Sequence, residues 1–167
     1  MGRRILREGI IRIIYRVNLA YFVKKSNKTR IKVAFVVWTL EGMGGSERVV
    51  YDLARKLDRN IFEVIIISFS DGPIRSLYEK IGIKVFPLSK IYHYHQNHAQ
   101  KIRRILSDEK INIVNPHHFG PFLYTSLATF ASRTILVYTE HSRWQLEALS
   151  PLEKLINRVL IVKTNAV

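Results

Sequence analysis

The chain has 167 residues, of which 47% are hydrophobic and 24% charged, a balance typical of a packed globular domain. This length suffices for one well-cored domain and is too short for two domains of ordinary size. The absence of cysteine excludes disulfides, thiolate metal sites and cysteine nucleophiles, and it fits a reducing compartment such as the cytoplasm.

The formal net charge is +14, and most of it lies in the first 30 residues, which carry nine Lys and Arg against one acid. Apolar residues recur there at the three- and four-residue spacing of one helix face. These residues are Leu6, Ile10, Ile13, Ile14, Val17 and Tyr21. The five N-terminal arginines are Arg3, Arg4, Arg7, Arg12 and Arg16. Because arginines interrupt the apolar stretch, a membrane-spanning helix is not expected.

We therefore predict a basic amphipathic helix within an N-terminal arm, residues 1–30. Its arginines would bind an anionic membrane surface, so we expect a cytoplasmic protein held peripherally at the inner face of the membrane. The alternative is a helix that docks on the following domain or on a partner protein. Residues 31–167 are predicted to form the domain itself.

From Ile31 onward, strands and helices alternate along the chain. The predicted strands are Lys32–Trp38, Phe62–Phe69, Ile83–Phe86, Ile111–Asn115, Thr134–Thr139 and Arg158–Val162. The predicted helices are Ser46–Leu57, Ile74–Ile81, Ala99–Glu109, Pro121–Ala131 and Pro151–Asn157. Gly82 is expected to end the second helix, and residues 89–97 are expected to form an exposed loop. Such alternation predicts an α/β fold, a Rossmann-like parallel sheet with helices on both faces.

A glycine-rich loop follows the first predicted strand and leads into the first predicted helix. Its glycines are Gly42, Gly44 and Gly45, and Ser46 is the expected helix cap. Unpaired N–H groups at a helix start favour an anion such as a phosphate, although a plain glycine turn without a ligand has the same composition. The glycine spacing matches neither the dinucleotide nor the phosphate-loop fingerprint.

Polar and aromatic residues follow the fourth and fifth predicted strands. His117 and His118 follow one strand end, and Glu140, His141 and Arg143 follow the other. Because parallel strands present their carboxyl ends at one sheet edge, these side chains are candidates for a functional site there. Each histidine taken alone is more often structural.

Taken in order, these segments resemble the N-terminal domain of glycosyltransferase family 4, the retaining enzymes of the GT-B fold. The resemblance rests on Lys32–Val37, Gly44–Arg48, Ile113–His118, Val137–His141 and Arg158–Val167. It implies transfer of a sugar from a nucleotide-sugar co-substrate to a glycan or lipid-linked acceptor, with retention at the anomeric carbon and without a bound metal or other cofactor.

The resemblance also implies roles for individual residues. His141 matches the catalytic strand-end histidine, and Gly44 and Gly45 match the loop that approaches the donor phosphates. His117 matches the second histidine of a strand-end His-x-His, whose first histidine is replaced here by Asn115. The expected acceptor contacts are Trp38, His117, His118, Arg143 and Trp144.

The family's C-terminal domain, which holds the donor, carries two glutamates separated by seven residues. No two of the nine glutamates here have that spacing. We therefore expect a truncated or split enzyme, inactive without a separate C-terminal chain. The alternative function is a non-catalytic binding or scaffold domain at a membrane surface.

Two other classes are less favoured. Nucleic acid binding would follow from the positive charge alone, but no groove-reading motif accompanies it, so no specific nucleic acid partner is expected. The segment from His93 to His98 contains three histidines, but no carboxylate lies nearby, and we expect no metal there.

Overall fold

A computed structural model describes residues 30–88, 98–162 and 164–165. The predicted amphipathic helix with its five arginines and the predicted loop at residues 89–97 lie outside the described residues, as do two of the three histidines weighed as metal ligands, His93 and His95.

Five parallel strands form one sheet in the order β3-β2-β1-β4-β5. The strands are β1 Ile31–Val37, β2 Phe62–Ser68, β3 Lys84–Pro87, β4 Ile113–Pro116 and β5 Ile135–Leu136. The chain moves outward from β1 to β3 and then returns to place β4 on the other side of β1. This reversal opens a crevice between the carboxyl ends of β1 and β4, which is where ligands bind in open α/β sheets.

Six helices connect or follow the strands in the described residues. They are α1 Gly45–Lys56, α2 Arg75–Lys80, α3 His98–Asp108, α4 Phe119–Thr129, α5 Arg143–Ala148 and α6 Pro151–Ile161. The Gly82 prediction is confirmed, because Gly82 has φ of +73° just beyond α2. Its N–H donates to Glu79 O, and the next N–H, of Ile83, donates to Tyr78 O, which together close the helix end.

The core has two halves, one on each face of the sheet. Along β1, Phe35 and Val37 face the cluster that includes Leu53 of α1. The alternate residues Ala34 and Val36 face the cluster that includes Phe122 of α4. Burying a side chain such as Phe35 contributes about 1.5–3 kcal/mol. The predicted fold, a Rossmann-like parallel sheet covered on both faces, is therefore confirmed.

The predicted sixth strand, Arg158–Val162, is wrong, because this segment belongs to α6 and its end. Ser150 and Glu153 form a reciprocal capping box at the start of α6, and Pro151 occupies its first turn. Asn165 pairs with the outer edge of β5 instead. Its backbone N–H donates to Leu136 O, and its side-chain oxygen accepts from Leu136 N–H. Local capping thus prevails over the strand preference of the β-branched run.

Helix α6 leaves an apolar stripe uncovered. Leu160 and Ile161 pack against the core, whereas Leu152, Leu155 and Val159 are 67%, 59% and 56% exposed. Val162, just past the helix, continues the stripe. Within the described residues, no helix has the length and apolar character needed to cross a membrane.

Candidate functional site

The site lies where β1, β4 and β5 end. Beyond β4, the backbone of His117 pairs with that of Thr139, which extends the parallel contact past the two strands. The His117 N–H donates to Val36 O, and the His118 N–H donates to Thr139 O. These bonds bring the two histidine-bearing strand ends together at one edge of the sheet, where the sequence predicted them.

A continuous hydrogen-bond chain links Asn115, His117 and His141, and we call these three residues the histidine relay. Asn115 Oδ1 lies 3.1 Å from His117 Nε2, and His117 Nδ1 lies 2.6 Å from His141 Nε2. Asn115 and His117 are fully buried, whereas His141 is partly accessible. Because the His117 side chain is buried, its predicted contact with an acceptor stays a prediction.

His118 is hydrogen-bonded to Glu140 rather than to the relay, with 3.0 Å between His118 Nδ1 and Glu140 Oε1. The same carboxylate accepts from the Tyr138 hydroxyl and from the backbone N–H groups of His141 and Ser142. His118 has φ of +72°, an uncommon backbone conformation for a residue with a side chain. The Glu140 bonds help to hold it there, and such local strain is concentrated at functional sites.

The charges of the site follow from these contacts. Burial lowers the pKa of His117 well below its ordinary value, and the neighbouring His141 and His118 lower it further. Burial also lowers the pKa of His141, an effect that His118 adds to and Glu140 partly opposes. For Glu140, burial acts to raise the pKa, but hydrogen bonds from His118, Tyr138 and the His141 N–H bring it to about 2. Near neutral pH, Glu140 is therefore ionised and the relay histidines are neutral.

At the start of α1, the predicted Ser46 cap is wrong. The N-cap residue is Gly44, which has no side chain to accept a helix N–H, and the Ser46 hydroxyl donates instead to Glu47 Oε2 at 2.9 Å. A Cβ on Gly44 would lie 2.6 Å from the same Glu47 oxygen. Gly44 and Gly45 are exposed, but a phosphate at Gly44 would meet the Glu47 carboxylate. The donor-phosphate role of these glycines therefore stays a prediction and requires Glu47 to turn away.

An open pocket of about 390 Å³ lies between β1 and the starts of α1 and α4, and we call it the switch-point pocket. Its lining residues are Trp38, Thr39, Ser46, Glu47, His118, Gly120, Pro121 and Gln145. The Trp38 ring stacks on Phe69 with 5.0 Å between ring centroids and stays half exposed. A Cβ on Gly120 would lie 2.8 Å from the Trp38 ring, so glycine at this position lets the indole pack against the start of α4.

Only some of the residues predicted to contact an acceptor line this pocket. Trp38 and His118 line it, whereas Arg143 pairs with Glu147 on the surface of α5 and Trp144 is 68% exposed outside the lining. Sequence reasoning missed the lining residues Thr39, Glu47 and Gln145 as site residues. Thr39 and Glu47 could have been found, since one follows a strand end and the other lies in the first turn of the glycine-loop helix.

The part of the chain that the structure describes contains no cluster of metal-ligating side chains. Among these residues, no group of three or more His, Asp or Glu side chains could hold an ion. The site contains two kinds of functional group. One is the pair of neutral imidazoles, His117 and His141, and the other is the Trp38 ring beside the carboxylate and hydroxyl groups of the switch-point pocket. The second combination suits a sugar ring, which presents C–H groups to an aromatic face and hydroxyls to polar atoms.

Solved structures with this fold include three that are similar to the chain over 76–82% of its length. Anabaena HepE, solved with UDP-glucose, matches with a TM-score of 0.64 at 18% identity, over 36% of its own chain. The lipopolysaccharide outer core galactosyltransferase WaaB matches at 0.57 and 20% identity, over 37% of its chain. A Listeria monocytogenes protein assigned to the UDP-N-acetylglucosamine 2-epimerases matches at 0.55 and 18% identity, over 38% of its chain.

These likenesses establish the fold alone, because a galactosyltransferase and a protein assigned to the epimerases share it. The chain spans a little over a third of the length of these structures. The search of curated proteins finds no match. The family model for Glycosyltransferase Family 4, however, matches residues 43–166, from the glycine loop to the last residues of the chain. By this match over most of its length, the chain belongs to glycosyltransferase family 4.

Proposed function

We propose that this chain is the acceptor-binding half of a retaining, nucleotide-sugar-dependent glycosyltransferase. The observation that carries the proposal is the switch-point pocket, in which the half-exposed Trp38 ring lies beside Glu47 and His118. An aromatic platform would cover the apolar face of a sugar ring, while the carboxylate and the imidazole would hydrogen-bond its hydroxyls. A glycan or lipid-linked sugar is the corresponding acceptor.

The donor side of the proposal rests on the family and its relatives. HepE was solved with UDP-glucose and WaaB is named a galactosyltransferase, so we propose a nucleotide sugar as the donor here. Transfer needs donor and acceptor held together in one geometry, and this chain spans little more than a third of those proteins. We therefore propose that turnover requires a donor-holding domain, on the same polypeptide or on a separate chain, and no metal cofactor.

Acceptor binding can be tested with the chain alone. Its two tryptophans are Trp38 and Trp144. In a Trp144→Phe background, Trp38 fluorescence would report titration with a panel of methyl glycosides and short oligosaccharides. We expect saturable quenching by at least one glycoside and its loss in Trp38→Ala, for which binding would be followed by calorimetry. Absence of binding across the panel would contradict an acceptor site in this pocket.

Turnover separates an enzyme half from a binding or scaffold protein. The chain would be mixed with candidate C-terminal chains of family 4 enzymes. UDP-sugars would be supplied as donors, and a glycoside found to bind in the fluorescence titration would be supplied as the acceptor. Release of UDP only in the mixture, with the product retaining the donor's anomeric configuration, is the expected result. Binding without turnover for every partner chain would favour the scaffold function.

A second function, attachment to a membrane surface, is favoured by the apolar stripe on α6. Lys154 and Arg158 are exposed beside Leu155 and Val159, so the helix presents an apolar band flanked by cations. This is the pattern of a helix that lies on an anionic bilayer, and the basic arm would add to the attraction. We propose that the protein binds peripherally to such a surface through both segments.

Vesicle sedimentation tests this attachment. Vesicles with phosphatidylserine should bind the chain, and neutral phosphatidylcholine vesicles should bind it less. Leu155→Asp with Val159→Asp should weaken binding through α6, and Arg12→Gln with Arg16→Gln should weaken it through the arm. Unchanged binding in both double variants would contradict the proposal.

A further inference from the structure

The histidine relay begins with an amide whose orientation is determined by its neighbours. Asn115 Nδ2 donates to the backbone O of Val137 at 2.7 Å and to Thr139 Oγ1 at 3.0 Å. A backbone oxygen can only accept, so turning the amide over would place two acceptors against each other at a fully buried position. Oδ1 of Asn115 must therefore be the atom that faces His117.

This orientation decides where the protons lie on both imidazoles. Because Asn115 Oδ1 only accepts, His117 must carry its proton on Nε2, 3.1 Å away. A neutral His117 then has an unprotonated Nδ1. That nitrogen lies 2.6 Å from His141 Nε2, and two unprotonated nitrogens would repel at this distance. His141 must therefore carry its proton on Nε2.

We propose that Asn115 and His117 are positioning residues that hold His141 in the Nε2–H tautomer, leaving its Nδ1 free to accept a hydrogen bond from a sugar hydroxyl. The tautomer follows from the relay alone. The hydroxyl partner rests on the proposed function, since a sugar in the neighbouring pocket would be its source.

His118 provides an internal contrast. It lies next to the relay in sequence, but its Nδ1 faces Glu140 Oε1 at 3.0 Å. An ionised carboxylate only accepts, so His118 must carry a proton on Nδ1. The structure thus requires His118 to be protonated on the ring nitrogen opposite to the one protonated in neutral His117 and His141.

Long-range proton–nitrogen NMR of the ¹⁵N-labelled full chain tests the tautomers directly, because protonated and unprotonated ring nitrogens resonate far apart. His117→Gln, His118→Gln and His141→Gln would assign the signals. We expect His117 and His141 in the Nε2–H form and a protonated Nδ1 on His118. An unprotonated Nε2 on His141 would overturn the proposal.

Variants test whether the relay is the cause. His117→Phe keeps a ring of similar size but removes both nitrogens, and Asn115→Leu keeps the volume of the amide but removes its polarity. Each should leave His141 as a mixture of the two tautomers, with circular dichroism confirming the fold. Thr129→Val is the control, since it removes a hydrogen bond to Thr125 O inside α4 and should leave the histidine spectrum unchanged. A pure Nε2–H His141 in His117→Phe would contradict the relay even if Asn115→Leu failed to fold.

Ligand titration separates the relay from the proposed function. A bound methyl glycoside should shift His141 Nδ1 more than Nε2. Binding seen by Trp38 fluorescence without any shift at Nδ1 would overturn the hydroxyl contact. If no glycoside binds, the proposed acceptor site fails, while the tautomers in the free protein still decide whether the relay exists.

Discussion

Helices α1 and α6 both carry a glutamate as their third residue, and the two glutamates form different hydrogen bonds. In α6, Glu153 accepts from the backbone N–H of Ser150 at 2.8 Å, and the Ser150 hydroxyl accepts from the Glu153 N–H. This reciprocal pair satisfies the helix start on the outer surface.

In α1, the corresponding glutamate is Glu47, and the N-cap is Gly44, which offers no side chain. Glu47 is instead bound by the Ser46 hydroxyl, is nine-tenths buried and lines the switch-point pocket. The N-cap residue therefore decides which contacts the third helix residue makes. A serine at the cap holds the glutamate in a structural pair, whereas a glycine leaves it available to the pocket.

Among the changes that test the difference between the two helix starts, Glu47→Gln should have the largest effect, which is on ligand binding. Hydrogen bonds to a charged group contribute about 1.5–3 kcal/mol, so glycoside affinity should fall roughly ten- to hundredfold. The matched control is Glu153→Gln, which should leave affinity unchanged. Calorimetric titration of both variants measures the difference. Equal affinities for the two variants would show that Glu47 does not serve the pocket.

Gly44→Ala should weaken the same binding by about tenfold, equivalent to about 1.4 kcal/mol. The added Cβ would lie 2.6 Å from Glu47 Oε2, the terminal atom of a long side chain, so the carboxylate should move and the fold should persist. Gly45→Ala is the control, because its Cβ would have nothing within 4 Å. Fluorescence titration compares them, and a larger loss in Gly45→Ala than in Gly44→Ala would refute this explanation.

Acidic pH should destabilise the folded protein through the buried histidines of the site. His117 and His141 have pKa values below 6.5 in the folded protein, so the unfolded chain binds more protons as the pH falls through 6.5. The free energy of unfolding should therefore decrease below about pH 6.5, by at most about 1.4 kcal/mol per pH unit for each histidine.

Urea unfolding between pH 5 and 8 measures this slope, and His117→Gln should flatten it. Below pH 4.5, Glu140 should reduce stability in the same direction, since its pKa of about 2 means that the folded state favours the ionised form. A stability that rises on acidification from pH 7 to pH 5 would mean that these histidines are not buried in their neutral forms.

The smallest expected effect is on stability by Ser150→Ala. Loss of a serine N-cap costs about 1 kcal/mol, and here it also breaks the capping box. Urea unfolding should detect this loss, whereas glycoside affinity should not change. A loss of affinity in Ser150→Ala would mean that the two helix starts are coupled rather than independent.

Much of the fold could be predicted because its signals are local. The buried residues Val33–Val37 have the β-branched composition of a central strand, and Gly82 marks a helix end that requires positive φ. The error at Arg158–Val162 arose because that run has strand-like residues, while the capping box that starts the helix lies eight residues earlier. The contact that Ser46 makes was also unpredictable, since a serine two residues after the N-cap can bond either to the helix backbone or to a neighbouring carboxylate.

By itself, the sequence determined the order of the five strands and of the helices between them, the family, and the sheet edge at which polar residues gather, since periodicity and strand-end position are properties of neighbouring residues. Only the tertiary structure decided that Asn115 faces His117, that His118 turns to Glu140, and that Glu47 lines the pocket while Arg143 does not. These contacts join residues on different strands and helices, and their geometry depends on how the sheet aligns its strand ends rather than on spacing along the chain.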